Sequence, residues 1–292
     1  MSNWKILAEH YQSLESEVRE VAIAIPISTA RLQIVAVASL AKNFEFNLYV
    51  TSQPSNSSSF FLQPTLRGLC EDVINLKYLI EQVDSADAEA LITSWMSQQT
   101  SESIEKQENF FQSNRPYQPV LSNVRAENSD SLRSKLSPLK QKYGWRKDKP
   151  SVSQMAKACD LNEVYDYLYA ATSRTVHFSP SVLFRMGWGP EQPDKPYTFS
   201  TSHFNGYYDS FNVFYGSYLF ILLCDTIKSH CQFSANFQEI VGKIKKELNE
   251  WLRWPEMITF EEMNVPKPNI LPYALSVVMS KEQAEKSRQP EV

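Results

Sequence analysis

The sequence predicts an all-α protein, a multi-helix bundle with a small loop or hairpin insertion near residues 183–204. Three observations carry this expectation. Glycine is scarce, at 7 of 292 residues, where average usage of about 7% would give roughly 20; tight hairpin turns and glycine-rich phosphate loops consume that residue. Apolar residues recur at helical spacing through most of the chain. The breaks between those segments are built from proline, serine and asparagine, which end helices without glycine. No repeat with a period of about 20–50 residues is visible, so a solenoid is not expected.

The elements follow in order. Residues 3–20 read as a first amphipathic helix and 28–50, after Pro26, as a second. The polar stretch 51–59 forms a loop whose last serine, Ser59, suits an N-cap. A third helix covers 60–82, with Pro64 in its first turn. Residues 86–113 form a long, polar surface helix that stops before Arg115-Pro116. The charged segment 122–143, with Pro138 near its end, is the least periodic helix. Residues 151–158 and 161–176 read as a short helix and a longer one, with Ser153 or Asn162 as caps, and Pro180 closes that unit. The densest group of breakers follows at 183–204, with Gly187, Gly189, Pro190, Pro193 and Pro196 between two alternating runs, VLFRMGW and PYTFSTS; that pattern suits a hairpin or lid. Residues 205–229 and 235–253 are the last long helices, the second ending at Trp254-Pro255. A terminal helix at 271–283 precedes a tail at 284–292. The expectation is one helical domain over 1–292, with its motif-bearing centre at 59–180 and its C-terminal helices at 205–283.

Bulk features exclude several function classes. Lys and Arg total 29 against 33 Asp and Glu, a net charge of −4. That balance rules out a basic nucleic-acid arm or a polybasic membrane-surface protein, while leaving room for a local basic site. Glu9, Glu15, Glu17 and Glu20 near the start are unlike a secretory leader. The most apolar stretches, 21–40 and 211–224, are interrupted by Pro26, Arg31 and Gln33 and by Asn212 and Ser217. Both fall short of the roughly 18–20 apolar residues of a membrane span, so buried core helices and no membrane are expected.

Cys70, Cys159, Cys224 and Cys231 lack zinc-site spacing, and free thiols in a reducing cytoplasm are expected. Cys224 and Cys231 share one side of a helix beside His230, where small buried hydrophobes are a simpler reading than metal ligands. No nucleophile elbow, Walker loop, dinucleotide fingerprint, HExxH or EF-hand loop occurs, and neither metal nor cofactor is expected. The only compact basic group is Lys243, Lys245 and Lys246 with Arg253, a solvated face or at most a weak RNA-backbone contact.

Two constellations carry possible chemistry. Arg67, Glu71 and Asn75 lie at the border of an apolar arc made by Leu66, Leu69, Cys70, Val73 and Ile80. An exposed Arg–Glu pair at i,i+4 adds only about 0.2–0.5 kcal/mol to a helix. If half-buried, the pair needs its own partners, and the arginine keeps spare donors for a phosphate or carbonyl. Tyr169, Ser173 and His177 stand at i, i+4 and i+8 along the edge of a second apolar arc, Leu161, Val164, Leu168, Thr172 and Val176. Such a stripe is either a buried hydrogen-bond ladder or one wall of a groove. In the functional reading His177 is the general acid or base, Tyr169 a donor to developing negative charge and Arg67 an electrophilic clamp. In the bland reading His177 is a favourable charge at a helix end.

These motifs together, the Arg67-x-x-x-Glu71 helix, Trp145-Arg146-Lys147, Ser153-x-Met155-Ala156 and Tyr169-x-x-x-Ser173-x-x-x-His177 followed by Phe178-Ser179-Pro180, resemble an all-α prokaryotic family of unknown function. Members of that family are discussed beside HEPN proteins, helical bundles that include metal-independent ribonucleases of toxin and phage-defence systems. The resemblance implies an arginine and a histidine acting on a scissile phosphodiester of RNA, and a homodimer or a partner protein of the same system. Arg174-Thr175-Val176-His177 has two intervening residues, fewer than the HEPN spacing. The candidate catalytic set is therefore Arg67, Glu71, Tyr169, Ser173 and His177, with Arg174 and Asn75 as substrate contacts. The alternative is a non-catalytic helical module that binds a partner protein, a nucleotide or RNA, with the same residues as buried ties.

Overall fold

The apolar stretch 211–224 becomes the middle of the central helix. In the computed structural model, described for residues 3–23, 26, 29–52, 59–118, 129–147, 149–187, 198–257 and 279–280, ten helices and no strand are found among the described residues. They are α1 (Asn3–Ile23), α2 (Arg31–Ser52), α3 (Ser59–Glu81), α4 (Ser85–Asn114), α5 (Ser129–Tyr143), α6 (Val152–Ala158), α7 (Asn162–Val176), α8 (Pro180–Met186), α9 (Asn205–Ile227) and α10 (Ala235–Glu250). Helix α9 packs against α2, α3 and α10; α1 bridges α2 and α10; α6 and α7 cover the outer side of α3. Helix α4 packs against α2, α3 and α5. The main core, with Tyr11, Phe44, Leu66, Phe211, Phe214, Phe220 and Phe237 among its largest members, draws side chains from every helix except α8, whose Val182 joins Phe60, Phe204 and Tyr208 in a small second cluster.

Helix α9 is apolar on all sides, as a helix surrounded by others must be. It is also long and apolar enough to cross a membrane, against the sequence expectation, because the helix continues past both ends of the 211–224 stretch. In this fold 72% of its most apolar window is buried inside the protein. Its fully buried polar residues, Asp209, Asn212 and Ser217, each meet a partner. Asn212 donates from Nδ2 to the Ser59 carbonyl at 2.8 Å and accepts at Oδ1 from Gln63 Nε2 at 3.0 Å. The Ser59 hydroxyl donates to the Asp209 carboxylate. Asn47 of α2 donates to the Gly216 carbonyl at 3.1 Å and to Asn43. A polar seam thus fixes the register of α9 against α2 and α3.

The helix ends show where local sequence decides. Ser151, not Ser153, caps α6: its side chain accepts from the Gln154 backbone N–H while the Gln154 side chain accepts from the Ser151 N–H. That reciprocal pair needs serine and glutamine three apart. The N-terminus of α2 is capped from another helix, with the Glu89 carboxylate accepting from the backbone N–H of Arg31 and of Leu32, each at 2.8 Å. Ser59 is helical rather than a cap, and Pro64 lies inside α3 rather than in its first turn.

The expected hairpin is corrected on its first flank. Residues 180–186 form α8, because Pro180 sits at the first helical position after Ser179, where its missing N–H costs nothing. The Ser200 N–H donates to the Met186 carbonyl at 2.8 Å, and the Phe199 ring lies against Gly187 so closely that a Cβ there would meet it at 2.6 Å. The two ends of the intervening loop are therefore pinned together. The centre of that loop, 188–197, lies outside the described residues, as do 122–128 of the expected fifth helix and all but 279–280 of the expected terminal one.

A clamp joins α4, α5 and α3. Lys142 Nζ donates to Asp84 at 2.5 Å and to Asp87 at 2.6 Å, and the Tyr143 hydroxyl donates to Asp87 at 2.7 Å. Tyr143 stacks on Trp145, whose Nε1 donates to the Tyr78 hydroxyl at 2.9 Å. Lys142, and then Tyr143, hold the Asp87 carboxyl below its ordinary value of 3.8. A depressed carboxyl contributes stability above its unfolded pKa and loses it as pH falls through the lower folded value. Asp87→Asn is therefore expected to lower the melting temperature at neutral pH, with the gap to wild type closing in acid as pH falls below the ordinary carboxyl value and through the lower folded one. A gap independent of pH would show that the clamp does not act through this charge.

Candidate functional site

Both polar constellations sit at the edges of apolar arcs, and the fold sets those edges against each other. Helices α3 and α7 run antiparallel: Arg67 faces Tyr169, Glu71 lies near Tyr165, and Tyr78 lies near Cys159 at the end of α6. Arg67 Nε donates to Glu71 Oε1 at 2.8 Å, with the two side chains 30% and 31% exposed. The guanidinium carbon stands 4.4 Å from the centroid of the Tyr169 ring, within cation–π range. Asn75 Nδ2 donates to the Glu71 carbonyl at 2.6 Å. Tyr165 and Tyr169 lie side by side, ring centroids 5.5 Å apart.

The electrostatics follow from these contacts. The Glu71 hydrogen bond holds the Arg67 guanidinium protonated even more firmly than usual. Burial, and then the Glu71 carboxylate, push the Tyr165 phenol up. Arg67 is thus a fixed cation, oriented through Nε and through its face. Its two terminal amino groups have no partner among the described residues, which leaves the fork that matches a phosphate or carboxylate.

The remaining candidates lie farther along α7. Ser173 Oγ is buried and has no hydrogen-bond partner among the described residues, so of the two readings of the stripe the Tyr–Ser–His ladder does not form. Tyr169 is drawn across to Arg67 instead. His177 is the C-cap of α7, its backbone N–H donating to the Ser173 carbonyl at 3.0 Å and its ring exposed. Eight residues separate it from Tyr169, about 12 Å of helix rise. Arg174 is part-exposed one turn before His177 and has no ion-pair partner among the described residues. Phe178, next to His177, is 85% exposed. The structure therefore brings Arg67, Glu71 and Tyr169 together, leaves Asn75 one turn beyond Glu71 on α3, and places Ser173, Arg174 and His177 in a second group toward the end of α7.

Residues that sequence reasoning passed over include the seam Ser59, Gln63, Asp209 and Asn212, and Arg185 of α8, which is buried and donates to the Tyr208 hydroxyl at 3.3 Å. The available signal was polar residues inside an otherwise apolar helix, which at such positions require partners. Among the described residues no group of three or more His, Cys, Asp or Glu side chains is placed to hold a metal ion.

No curated protein and no solved structure matches the chain. Residues 62–195 match a family of unknown function, DUF5677. That span contains Arg67, Glu71, Asn75, Tyr169, Ser173, Arg174 and His177, so it is the α3–α7 seam and its flanks that are similar to that family.

Proposed function

We propose that the chain acts on RNA along α7, as a HEPN-like, metal-independent endoribonuclease. The observation that supports this reading best is Arg67, held through Nε by Glu71 and laid over Tyr169 with its terminal amino groups unpaired. A fork so prepared binds an RNA phosphate without first having to be ordered. The rise between Tyr169 and His177 exceeds the span of one phosphate, so Arg67 holds a neighbouring phosphate while Arg174 and His177 face the reacting one; Asn75, eight residues from Arg67 on α3, contacts the RNA farther along. His177 takes the proton of the ribose 2′-hydroxyl as that oxygen attacks phosphorus. The P–O5′ bond breaks, the 5′-oxygen takes a proton from solvent water, and the products carry a 2′,3′-cyclic phosphate and a 5′-hydroxyl. Arg174 balances the charge that builds on the phosphorane, and Tyr169, Glu71 and Ser173 position the arginine and the helix edge. A cytoplasmic prokaryotic toxin or phage-defence role, in a homodimer or with a partner protein, belongs to the same reading.

The test is cleavage of single-stranded RNA in EDTA. Wild type is expected to leave cyclic-phosphate ends, His177→Ala to lose about 10²–10⁴-fold in rate, and Arg67→Ala about 10²-fold, largely in KM. Inactivity of the folded wild type, together with a large loss of stability in Arg67→Ala, would instead support a non-catalytic module. That second reading is favoured by one specific contact set: Arg67, Glu71 and Tyr169 also tie α3 to α7.

A further inference from the structure

Away from α3 and α7, a cavity of about 850 Å³ opens where the end of α9, the turn after it and α10 meet the start of α2. Its size lies within the range of small-molecule sites. Apolar side chains line one part of it: Ile221, Cys224, Phe233, Phe237 and Val241. Phe233 and Phe237 are stacked face to face, centroids 4.2 Å apart and planes 3° from parallel; Phe237 is 2% exposed and backs the partly accessible Phe233, which supplies the apolar surface.

The polar lining is different in character. Lys228 and Lys245 both border the cavity, and neither has an ion-pair partner among the described residues. The contrast lies on the same helix, where Lys243 pairs with Glu239 and Lys246 with Glu250. Asp225 also lines the cavity, so its two lysines exceed its one carboxylate by a single positive charge. The His230 ring is engaged through Nδ1 with the Ser229 hydroxyl at 2.9 Å. Gly242 completes the wall from the middle of α10, where glycine weakens a helix. A Cβ there would meet nothing within 4 Å, so no close packing requires the glycine. What its missing side chain preserves is open volume.

We infer that this cavity binds a small amphipathic carboxylate, its hydrocarbon or aryl body against Phe233 and its monoanionic head between Lys228 and Lys245. One net positive charge matches a monoanion better than a phosphate dianion. The two unpaired ammonium groups supply donors that the apolar lining cannot.

Calorimetric titration of the full chain with octanoate, 4-phenylbutyrate and 1-octanol tests this. Both carboxylates are expected to bind saturably with one site, and octanol at least about tenfold more weakly. Lys245→Glu is expected to weaken the carboxylates about tenfold and leave octanol unchanged. Gly242→Trp is expected to abolish binding of all three while the chain melts as wild type; Gly242→Leu serves if the larger residue perturbs folding. No saturable binding by wild type would overturn the inference. So would undiminished binding in a folded Gly242 variant, which would place the site elsewhere, or a Lys245→Glu variant that treats carboxylate and alcohol alike.

Discussion

Gly216→Ala is expected to destabilise the fold by about 2–4 kcal/mol. A Cβ at this position would stand 2.7 Å from Cε1 of the buried Phe46 ring and 2.8 Å from Oδ1 of the buried Asn47. Neither is the loose end of a flexible chain. The phenyl ring belongs to the close contact of α2 with α9, and Asn47 cannot retreat without stretching its 3.1 Å bond to the Gly216 carbonyl. The two helices must therefore separate, and the seam beside them opens. Denaturant unfolding should show a lower midpoint with an unchanged slope. Gly242→Ala is the control: with open space around its Cβ, it should gain about 0.5–1 kcal/mol. A Gly216→Ala variant as stable as wild type would mean that α2 and α9 are not held at this separation.

Asn212→Leu should cost a similar amount, for a different reason. Asn212 is 1% exposed and serves two partners, the Gln63 side chain and the Ser59 carbonyl. Leucine keeps the volume and removes both bonds, leaving the Gln63 amide buried without its acceptor; the expected loss is about 2–4 kcal/mol. Because the penalty comes from the orphaned partner, Gln63→Leu combined with Asn212→Leu should be more stable than the two single effects summed, by at least about 1 kcal/mol. Strict additivity would place the cost in packing rather than in the hydrogen bonds.

Periodicity made most helices legible, because an amphipathic stripe is a local property of the chain. It failed at 180–186, where an apolar run of alternating appearance is helical because Pro180 starts it and Gly187 accepts the close approach of Phe199. Cap choice turned on one detail, the glutamine three residues after Ser151 that gives it the reciprocal bond Ser153 lacks. At the candidate site, the Arg67–Glu71 pair was legible from its spacing and the stripe on α7 from its own. Their meeting was not: the stacking of Arg67 on Tyr169 depends on how two helices 100 residues apart in sequence are docked. That docking sets Tyr169 against the guanidinium, and Ser173 Oγ is left without a partner. The polar residues of α9 looked like flaws in an apolar helix because their partners lie far away in the chain; Asp209 answers to Ser59 over 150 positions and Ser217 to Asn47 over 170.

Those separations bear on when the protein can fold. Helices α2 and α3 are made early, yet the helix that covers their apolar faces follows about 150 residues later. At translation rates of about 5–20 residues per second, the delay is roughly 8–30 s. Through that interval the nascent chain exposes the surfaces of Leu40, Phe44, Leu66 and Leu69 that become fully covered only later. Closing so long a loop is slow as well, since the ordering entropy is spent before the contacts form. The bundle thus shares with non-local topologies the need to close its longest loops before its core is complete, despite being made of helices.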